Sequence, residues 1–474
     1  MNGFKEIWMW NRFFAGSFLL IALTSCAVFA PEKRTDLNDR LPQKFSLYSS
    51  SFDSTNQWWS TLGSTELNHF VEEALTNSPS LQQAWARLAQ VDALARQAGA
   101  ARFPVLNYAG NAGVSRNSIQ QQNVEAYSLG LNAAYEVDLW GRIKSQTEAA
   151  NLDRAASREQ LHTAAITLSS QVTLRWLGIV AQRLQTDLIR RQLEINKTSL
   201  DLIELRFRKS LATALDVYQQ RQAVAGTKSR IPQAELREKL LENELAVLLG
   251  RSDLKSLQIA QTNLPSLGPL PKIGLPADVL ANRPDVRQAG LRLQSADWRV
   301  SAAKADRLPA IRLTASANYA NAEFSSVFDD WFANLAAGVT GPIFDGGRRK
   351  AEVDRARAVV NERLAAYRET VLRAIKEVED ALVSEKKQRE YIVALDRNIV
   401  LSRHSYREAV RRYQRGLINY LPVLLELVTL QNLERDRVVA QYTLLQYRIN
   451  LYRALGGTWP ENLHNPFSTS KEKL

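Results

Sequence analysis

The chain has 474 residues, 45% of them apolar and 23% charged, with 61 Lys and Arg against 49 Asp and Glu for a formal charge of +12. Such a composition buries a large core, which excludes wholesale disorder. A single cysteine, Cys26, and four scattered histidines, His69, His162, His404 and His464, leave no disulfide pair and no cluster at metal-ligand spacing, so neither a metal nor a cofactor is expected.

Lys5 and Arg12 precede the apolar run Phe13 to Leu23, too short for a permanent membrane helix and suited to a secretory signal over residues 1–25. The run ends in Leu23-Thr24-Ser25-Cys26. This tetrapeptide resembles the lipobox of bacterial lipoproteins, which implies that the signal is cut off and that Cys26 is the lipid attachment site. Several acyl chains would then hold the chain durably, whereas one binds only marginally at about 0.8 kcal/mol per buried methylene. An ordinary small residue beside a cleavage site is the alternative. Ala27 stands where lipoproteins kept at the inner membrane typically carry Asp, which favours the outer membrane. No later run reaches about 18 consecutive apolar residues, so any span of lipid must use strands.

Past residue 66 the chain is written twice, and a shift of about 205 positions brings the halves into register. Asn77-Ser78-Pro79, Gln83-Ala84 and Leu88 match Asn282-Arg283-Pro284, Gln288-Ala289 and Leu293. Gly141-Arg142 matches Gly347-Arg348, and Leu248-Leu249-Gly250 matches Ala454-Leu455-Gly456. The pattern reads as one duplicated unit, residues 67–263 and 277–457, preceded by an N-terminal segment, 26–66, joined by a Pro-rich linker, 264–276, and followed by a tail, 458–474.

Each unit opens on a helical pattern, such as the Ala-, Gln- and Arg-rich run Leu81 to Ala101, closed before Pro104. The apolar period then changes from helical to alternating. In the first unit the spacing predicts strands at 104–116 and 125–138. The second of these puts Tyr127, Leu129, Leu131, Ala133, Tyr135 and Val137 on one face and Ser128, Gly130, Asn132, Ala134, Glu136 and Asp138 on the other. In the second unit strands are predicted at 310–320, with Ile311, Leu313, Ala315, Ala317 and Tyr319 opposite Arg312, Thr314, Ser316 and Asn318, and at 331–344, with Trp331, Ala333, Leu335, Ala337, Val339 and Ile343 on the apolar face. Each is about long enough to cross a bilayer when tilted, which takes roughly 9–11 residues. A half-buried soluble hairpin alternates in the same way, but four such segments in an exported chain favour the membrane. Four strands cannot close, because the smallest membrane barrels use about eight and an open edge in hydrocarbon leaves N–H and C=O groups unpaired. The barrel must be shared between chains. Two copies would supply eight strands and three would supply twelve, and the pattern admits either.

A very long helix follows each hairpin. Residues 142–207 contain no Pro and only Gly178 as a breaker, with a return at 214–249; the second unit repeats this at 347–414 and 421–455. Leu161, Ala165, Leu168, Val172, Trp176 and Ile179 step by three or four, as do Val371, Ile375, Val378 and Leu382, which are coiled-coil-like seams against a packed neighbour. Glu377, Glu379, Asp380, Lys386 and Lys387 read as a solvated outer face. The basic excess is spread along helices, a poor fit to nucleic acid in an exported chain.

Asp138-Leu139-Trp140-Gly141-Arg142, Asn282-Arg283-Pro284-Asp285-Val286, Gly341-Pro342-Ile343-Phe344-Asp345-Gly346-Gly347-Arg348 and the closing Leu455-Gly456-Gly457-Thr458-Trp459 complete the picture. With the repeated helix, hairpin and long helix pair, they resemble the outer-membrane efflux factors of the TolC and OprM type, and most closely the NodT-type lipoproteins. The likeness runs from Cys26 to Trp459, and Trp58-Trp59 ahead of Leu67 resembles the start of the mature domain. The resemblance implies a mainly α fold with a membrane β-barrel: a homotrimer with a 12-stranded barrel, a periplasmic α-helical tunnel and an equatorial collar. It implies a passive exit duct in a Gram-negative outer membrane, partnered by outer-membrane lipid, a periplasmic adaptor (membrane fusion) protein and an inner-membrane transporter of the resistance-nodulation-division (RND) type. No enzyme is expected, since the chain shows no serine elbow, phosphate loop or paired-carboxylate motif.

The working parts of such a duct are expected where the long helices turn, at Arg206 to Asp216 and Arg412 to Leu421. Arg208, Lys209, Leu211, Ala212 and Thr213 in the first turn, and Arg415, Gly416, Leu417 and Ile418 in the second, are the candidate adaptor contacts; a plain solvated turn is the alternative. Asp216 and Tyr420 are candidates for a pore gate held by bonds between neighbouring helices, and an N-cap role suits Asp216 equally. Pro422 stands where the first copy has Asp216, so the two turns should differ locally. The rival readings are a trimeric lipid-anchored coiled-coil envelope scaffold, a type I secretion exit channel, and a lipid-anchored soluble enzyme, for which no convergent site is visible.

Overall fold

A computed structural model describes residues 29–31, 57–116, 123–253, 257–271, 276–457, 463 and 465–466. The signal segment, Cys26 and Thr458-Trp459 lie outside the described residues. A short 3-10 turn, Trp58–Leu62, leads into α1 (Thr65–Asn77), α2 (Pro79–Ala100), β1 (Val105–Arg116), β2 (Asn123–Val137), α3 (Arg142–Arg208) and α4 (Ala214–Leu249). The order then returns as α5 (Pro276–Asn282), α6 (Pro284–Ala305), β3 (Ala310–Asn321), β4 (Trp331–Thr340), α7 (Arg348–Gln414) and α8 (Leu421–Ala454). The chain divides into two compact units, residues 1–37, 87–158 and 288–369 in one and 38–86, 159–287 and 370–474 in the other.

The first unit carries one antiparallel sheet of four strands in the order β1-β2-β3-β4. Its register lines up the alternating faces read from sequence. Leu335, Ala315, Ala133 and Leu106 form one cross-strand row, and Ala333, Ala317, Leu131 and Tyr108 form the next. On the other face Asn334, Ser316, Asn132 and Asn107 are in register, and Glu136 lies opposite Arg312, the pair 3.8 Å apart. Because side chains alternate with a period of two, this register sorts most apolar from most polar residues in the middle of the sheet, while Glu125 opposite Val114 and Phe332 opposite Asn318 depart from the pattern towards its ends. Yet the apolar face is bare: Tyr108 is 84% exposed and Leu335 81%.

Each hairpin returns to a helix through a carboxylate cap. Asp138 accepts from the backbone N–H of Ile143 (3.0 Å) and Lys144 (2.7 Å), and Asp345 accepts from Gly347 (3.0 Å) and Arg349 (3.3 Å). Negative oxygens at these positions pair orphan donors of the first turn and oppose the positive end of the helix dipole. The last strand is shorter than its predicted 331–344, ending at Thr340. Pro342 has no N–H to give a ladder, and a Cβ on Gly341 would already sit 3.1 Å from Pro309. Ile343 and Phe344 therefore leave the sheet.

In the second unit the seam residues Leu161, Ala165, Leu168, Val172, Trp176 and Ile179 are all buried. Val378 and Leu382 of α7 pack with Leu451 and Ala454 of α8, the long helix against its own return. One stretch of α3 is apolar enough to cross a membrane by composition, but 72% of it is buried inside the protein, which marks a core helix. Glu377, expected on a solvated face, instead accepts from Arg283 Nη2 at 2.8 Å. Arg283 is buried and also bonds both carboxylate oxygens of Asp285 and the Ala454 carbonyl. The α7 surface is thus not uniformly solvated, because the Asn282-Arg283-Pro284 corner needs anions around its guanidinium.

Candidate functional site

The α3–α4 and α7–α8 turns close over a shared core. Ile203 of α3, Val217 of α4, Ala409 and Tyr413 of α7, and Tyr420, Val423 and Leu424 around the start of α8 form one buried cluster. Both turns begin in the same way. After α3, Leu211 N–H bonds Arg206 O (2.8 Å) and Ser210 N–H bonds Phe207 O (2.9 Å); after α7, Leu417 N–H bonds Arg412 O and Gly416 N–H bonds Tyr413 O, each at 3.0 Å. These are paired Schellman closures, which need a left-handed residue at the fifth position. Gly416 supplies it at φ 74°, and Ser210 takes it at φ 61°. The hydrophobic residue that normally folds back in this motif stays outward here, for Leu211 and Leu417 are both exposed.

The two turns then diverge, as the Asp216 to Pro422 change predicts. Thr213, not Asp216, is the N-cap of α4: its hydroxyl accepts from Asp216 N–H (3.2 Å) while the Asp216 carboxylate accepts from Thr213 N–H (2.9 Å). This is a reciprocal capping box. At α8, Tyr420 stands at the cap position with no side-chain cap bond and Pro422 lies in the first turn, where its missing N–H costs nothing.

Of the candidate adaptor contacts, Arg208, Lys209, Leu211, Thr213, Arg415, Gly416 and Leu417 are exposed; Ala212 is half-buried, and Ile418 packs partly onto the shared core. Arg208, Lys209 and Arg415 carry no ion pair among the described residues, whereas Glu408 neutralises Arg411 (2.7 Å) and Arg412 (3.0 Å). Hydrogen bonding from Arg412, helped by Arg411 and Arg415, holds the Glu408 carboxyl below its ordinary range. The end of the helices is therefore a basic surface with two outward leucines.

Of the gate candidates, Asp216 is half-buried and engaged in the capping box, whereas Tyr420 faces inward. Tyr420 is buried and its hydroxyl donates to Gln220 Oε1 at 2.7 Å. Burial, then the neighbouring Tyr406, Tyr413 and Asp216, push its ionisation far above the ordinary phenol value. Sequence reasoning missed what lies beneath. Gln220 Nε2 donates to Asn196 O (2.7 Å), Asn196 Nδ2 to Thr227 Oγ1 (2.8 Å), Gln431 Nε2 to Asn196 Oδ1 (3.2 Å) and Gln192 Nε2 to Gln431 O (3.0 Å). This buried ladder ties α3, α4 and α8 together. Its signal in the sequence was Gln192 and Asn196 four apart, and Gln220 and Thr227 seven apart, polar residues at seam spacing. No group of residues suited to holding a metal ion is present among the described residues.

The sequence pattern of the family described as "Outer membrane efflux protein" matches residues 70–251 and 275–457. The chain belongs to this family. The pyoverdine export outer membrane protein OpmQ of Pseudomonas aeruginosa is 33% identical over 85% of this chain and 87% of its own length. The outer membrane protein OprJ of the same species is 32% identical over 86% and 87%. Among solved structures, the outer-membrane channel OprN superposes with a TM-score of 0.84 at 27% identity, covering 91% of this chain and 99% of OprN. This efflux protein acts in the outer membrane of a Gram-negative bacterium as an exit duct, and its mostly helical fold with one antiparallel sheet is that of the outer-membrane efflux channels.

Proposed function

We propose that three copies of this efflux protein pool their sheets into a 12-stranded barrel, continued by a periplasmic helical tunnel, as the exit duct of a tripartite pump. The observation that carries this reading is the sheet itself, whose outer strands β1 and β4 each pair on one side only and are exposed at every residue, the apolar ones included. In lipid the unpaired edges cost several kcal/mol per orphan group, and edge-to-edge pairing of copies removes every one of them. Three members rather than two is what the resemblance to the outer-membrane efflux factors implies.

In this reading the duct is passive and the energy comes from an inner-membrane RND-type transporter. A periplasmic adaptor seats its own helical hairpins on the basic tips, where the small residues Ala212 and Gly416 permit close helix approach and Arg208, Lys209 and Arg415 set charge complementarity. Asp216 and Tyr420 gate the pore through the bonds that hold α4 and α8 in place. Cys26 carries the acyl anchor, and labelling with palmitate should disappear in Cys26→Ser. The whole reading is tested in planar bilayers: the purified full chain should conduct ions, and a protein that binds bilayers without conducting refutes it.

A further inference from the structure

In the unit that bears the sheet, the end of α6 and the start of α7 enclose an open cleft of about 550 Å³, lined among others by Phe29, Lys304, Arg307, Lys350, Asp354 and Arg357. A smaller adjoining cleft of about 170 Å³ shares Arg307 and Lys350 with it and reaches Ile343. The electrostatics are unbalanced. Arg357 has Asp354 at 3.7 Å, but Lys304, Arg307 and Lys350 have no ion-pair partner among the described residues. Three converging cations repel one another unless an anion joins them. The surface beside them is the opposite in character, with Ile343 fully exposed and Phe344 91% exposed.

Two further facts say which anion suits this place. Ile343 and Phe344 follow the end of β4 after Gly341-Pro342, and Trp331, Leu335 and Val339 on β4 are exposed apolar residues. Phe29 follows Cys26, the anchor position of the proposed function, by three residues, and three residues of chain span at most about 11 Å. We propose that the cleft holds the phosphate of an anionic phospholipid, with Lys304, Arg307 and Lys350 as its ligands and Ile343 and Phe344 against its acyl chains. The site rests on the reading of β1–β4 as membrane strands. It would fix the depth of the protein in the leaflet that also receives the Cys26 anchor.

The test is native mass spectrometry of the full chain in mild detergent, titrated with phosphatidylglycerol or phosphatidylcholine. Wild type should retain phosphatidylglycerol preferentially. Arg307→Gln with Lys350→Gln should lower that preference by about fivefold per cation removed, roughly 25-fold in all. The charge-preserving pair Arg307→Lys with Lys350→Arg should keep most of it, as should the control Lys228→Gln with Lys386→Gln. Equal retention of the two lipids by wild type overturns the proposal, as does displacement of phosphatidylglycerol by excess inorganic phosphate, which identifies a free-anion site. A loss of subunit association in Arg307→Gln with Lys350→Gln at unchanged lipid retention also overturns it, since a second copy then covers the cleft. Conductance of each variant in planar bilayers separates the two failures: a conducting protein without lipid preference sinks only the cleft, and a protein that never conducts sinks the membrane reading beneath it.

Discussion

Tyr420 and Gln220, 200 positions apart in the chain, share a buried hydrogen bond of 2.7 Å that fastens the start of α8 to α4. Because Gln220 also donates to Asn196 O, the bond extends to α3. Tyr420→Phe removes the donor and leaves Gln220 Oε1 buried without one, at a cost of about 1–3 kcal/mol. The expected outcome is faster amide exchange over residues 200–223 and a higher open probability in planar bilayers. Replacing both partners, Tyr420→Phe with Gln220→Leu, should recover stability but not the closed state. An unchanged open probability in Tyr420→Phe removes Tyr420 from the gate.

The paired Schellman closures give an internal comparison. Ser210 takes a left-handed conformation that costs a non-glycine residue about 1–2 kcal/mol, whereas a Cβ at Gly416 meets nothing within 4 Å. Ser210→Gly should therefore raise the free energy of unfolding by up to about 1 kcal/mol, and Gly416→Ala should lower it by about as much, through backbone strain alone. Thermal melts of the two variants check the signs.

How far the sequence carries this fold follows from where its periods are strict. The four strands were legible, three of them to within two residues at each end, because alternation marks both the strands and their faces, as the row Leu335, Ala315, Ala133 and Leu106 shows. The overlong β4 came from Ile343, which keeps the apolar parity beyond the Gly341-Pro342 break. The turns were legible as positions, but not which residue caps: Thr213 and Asp216 both favour caps, and only the reciprocal bonds assign them. The buried polar ladder stayed hidden because Gln192, Asn196 and Gln431 look like surface residues of any helix until their partners on α4 and α8 are known. Arg448 and Glu385 escaped notice for the same reason.

Those two form a buried pair, each with a side chain 2% exposed, joined by bonds of 2.7 and 2.8 Å, and Arg448 also donates to Pro269 O at 2.9 Å. Glu385→Ala strands a buried guanidinium and should destabilise the protein by about 3–5 kcal/mol, whereas Glu385→Leu with Arg448→Met should cost much less. Chemical denaturation of the two variants separates a structural pair from a dispensable one; equal losses contradict the assignment.

Acid should act through Glu159. Burial opposes its ionisation, but hydrogen bonds and charge from His162 and Arg287 outweigh it and hold the carboxyl below its ordinary value of 4.5; Arg287 Nη2 is 2.7 Å away. A carboxylate with a depressed folded value stabilises in full above the unfolded value and loses that contribution as pH falls through the folded one. Melting temperature should thus drop below about pH 4.5, and Glu159→Gln should shallow that drop while lowering stability at neutral pH.

Stoichiometry tests the shared barrel most directly. The mass of the detergent-extracted full chain should correspond to three copies per particle, with β1 and β4 as protected from amide exchange as β2 and β3. A stable particle of one chain that stays soluble without detergent, its outer strands exchanging freely, contradicts the account.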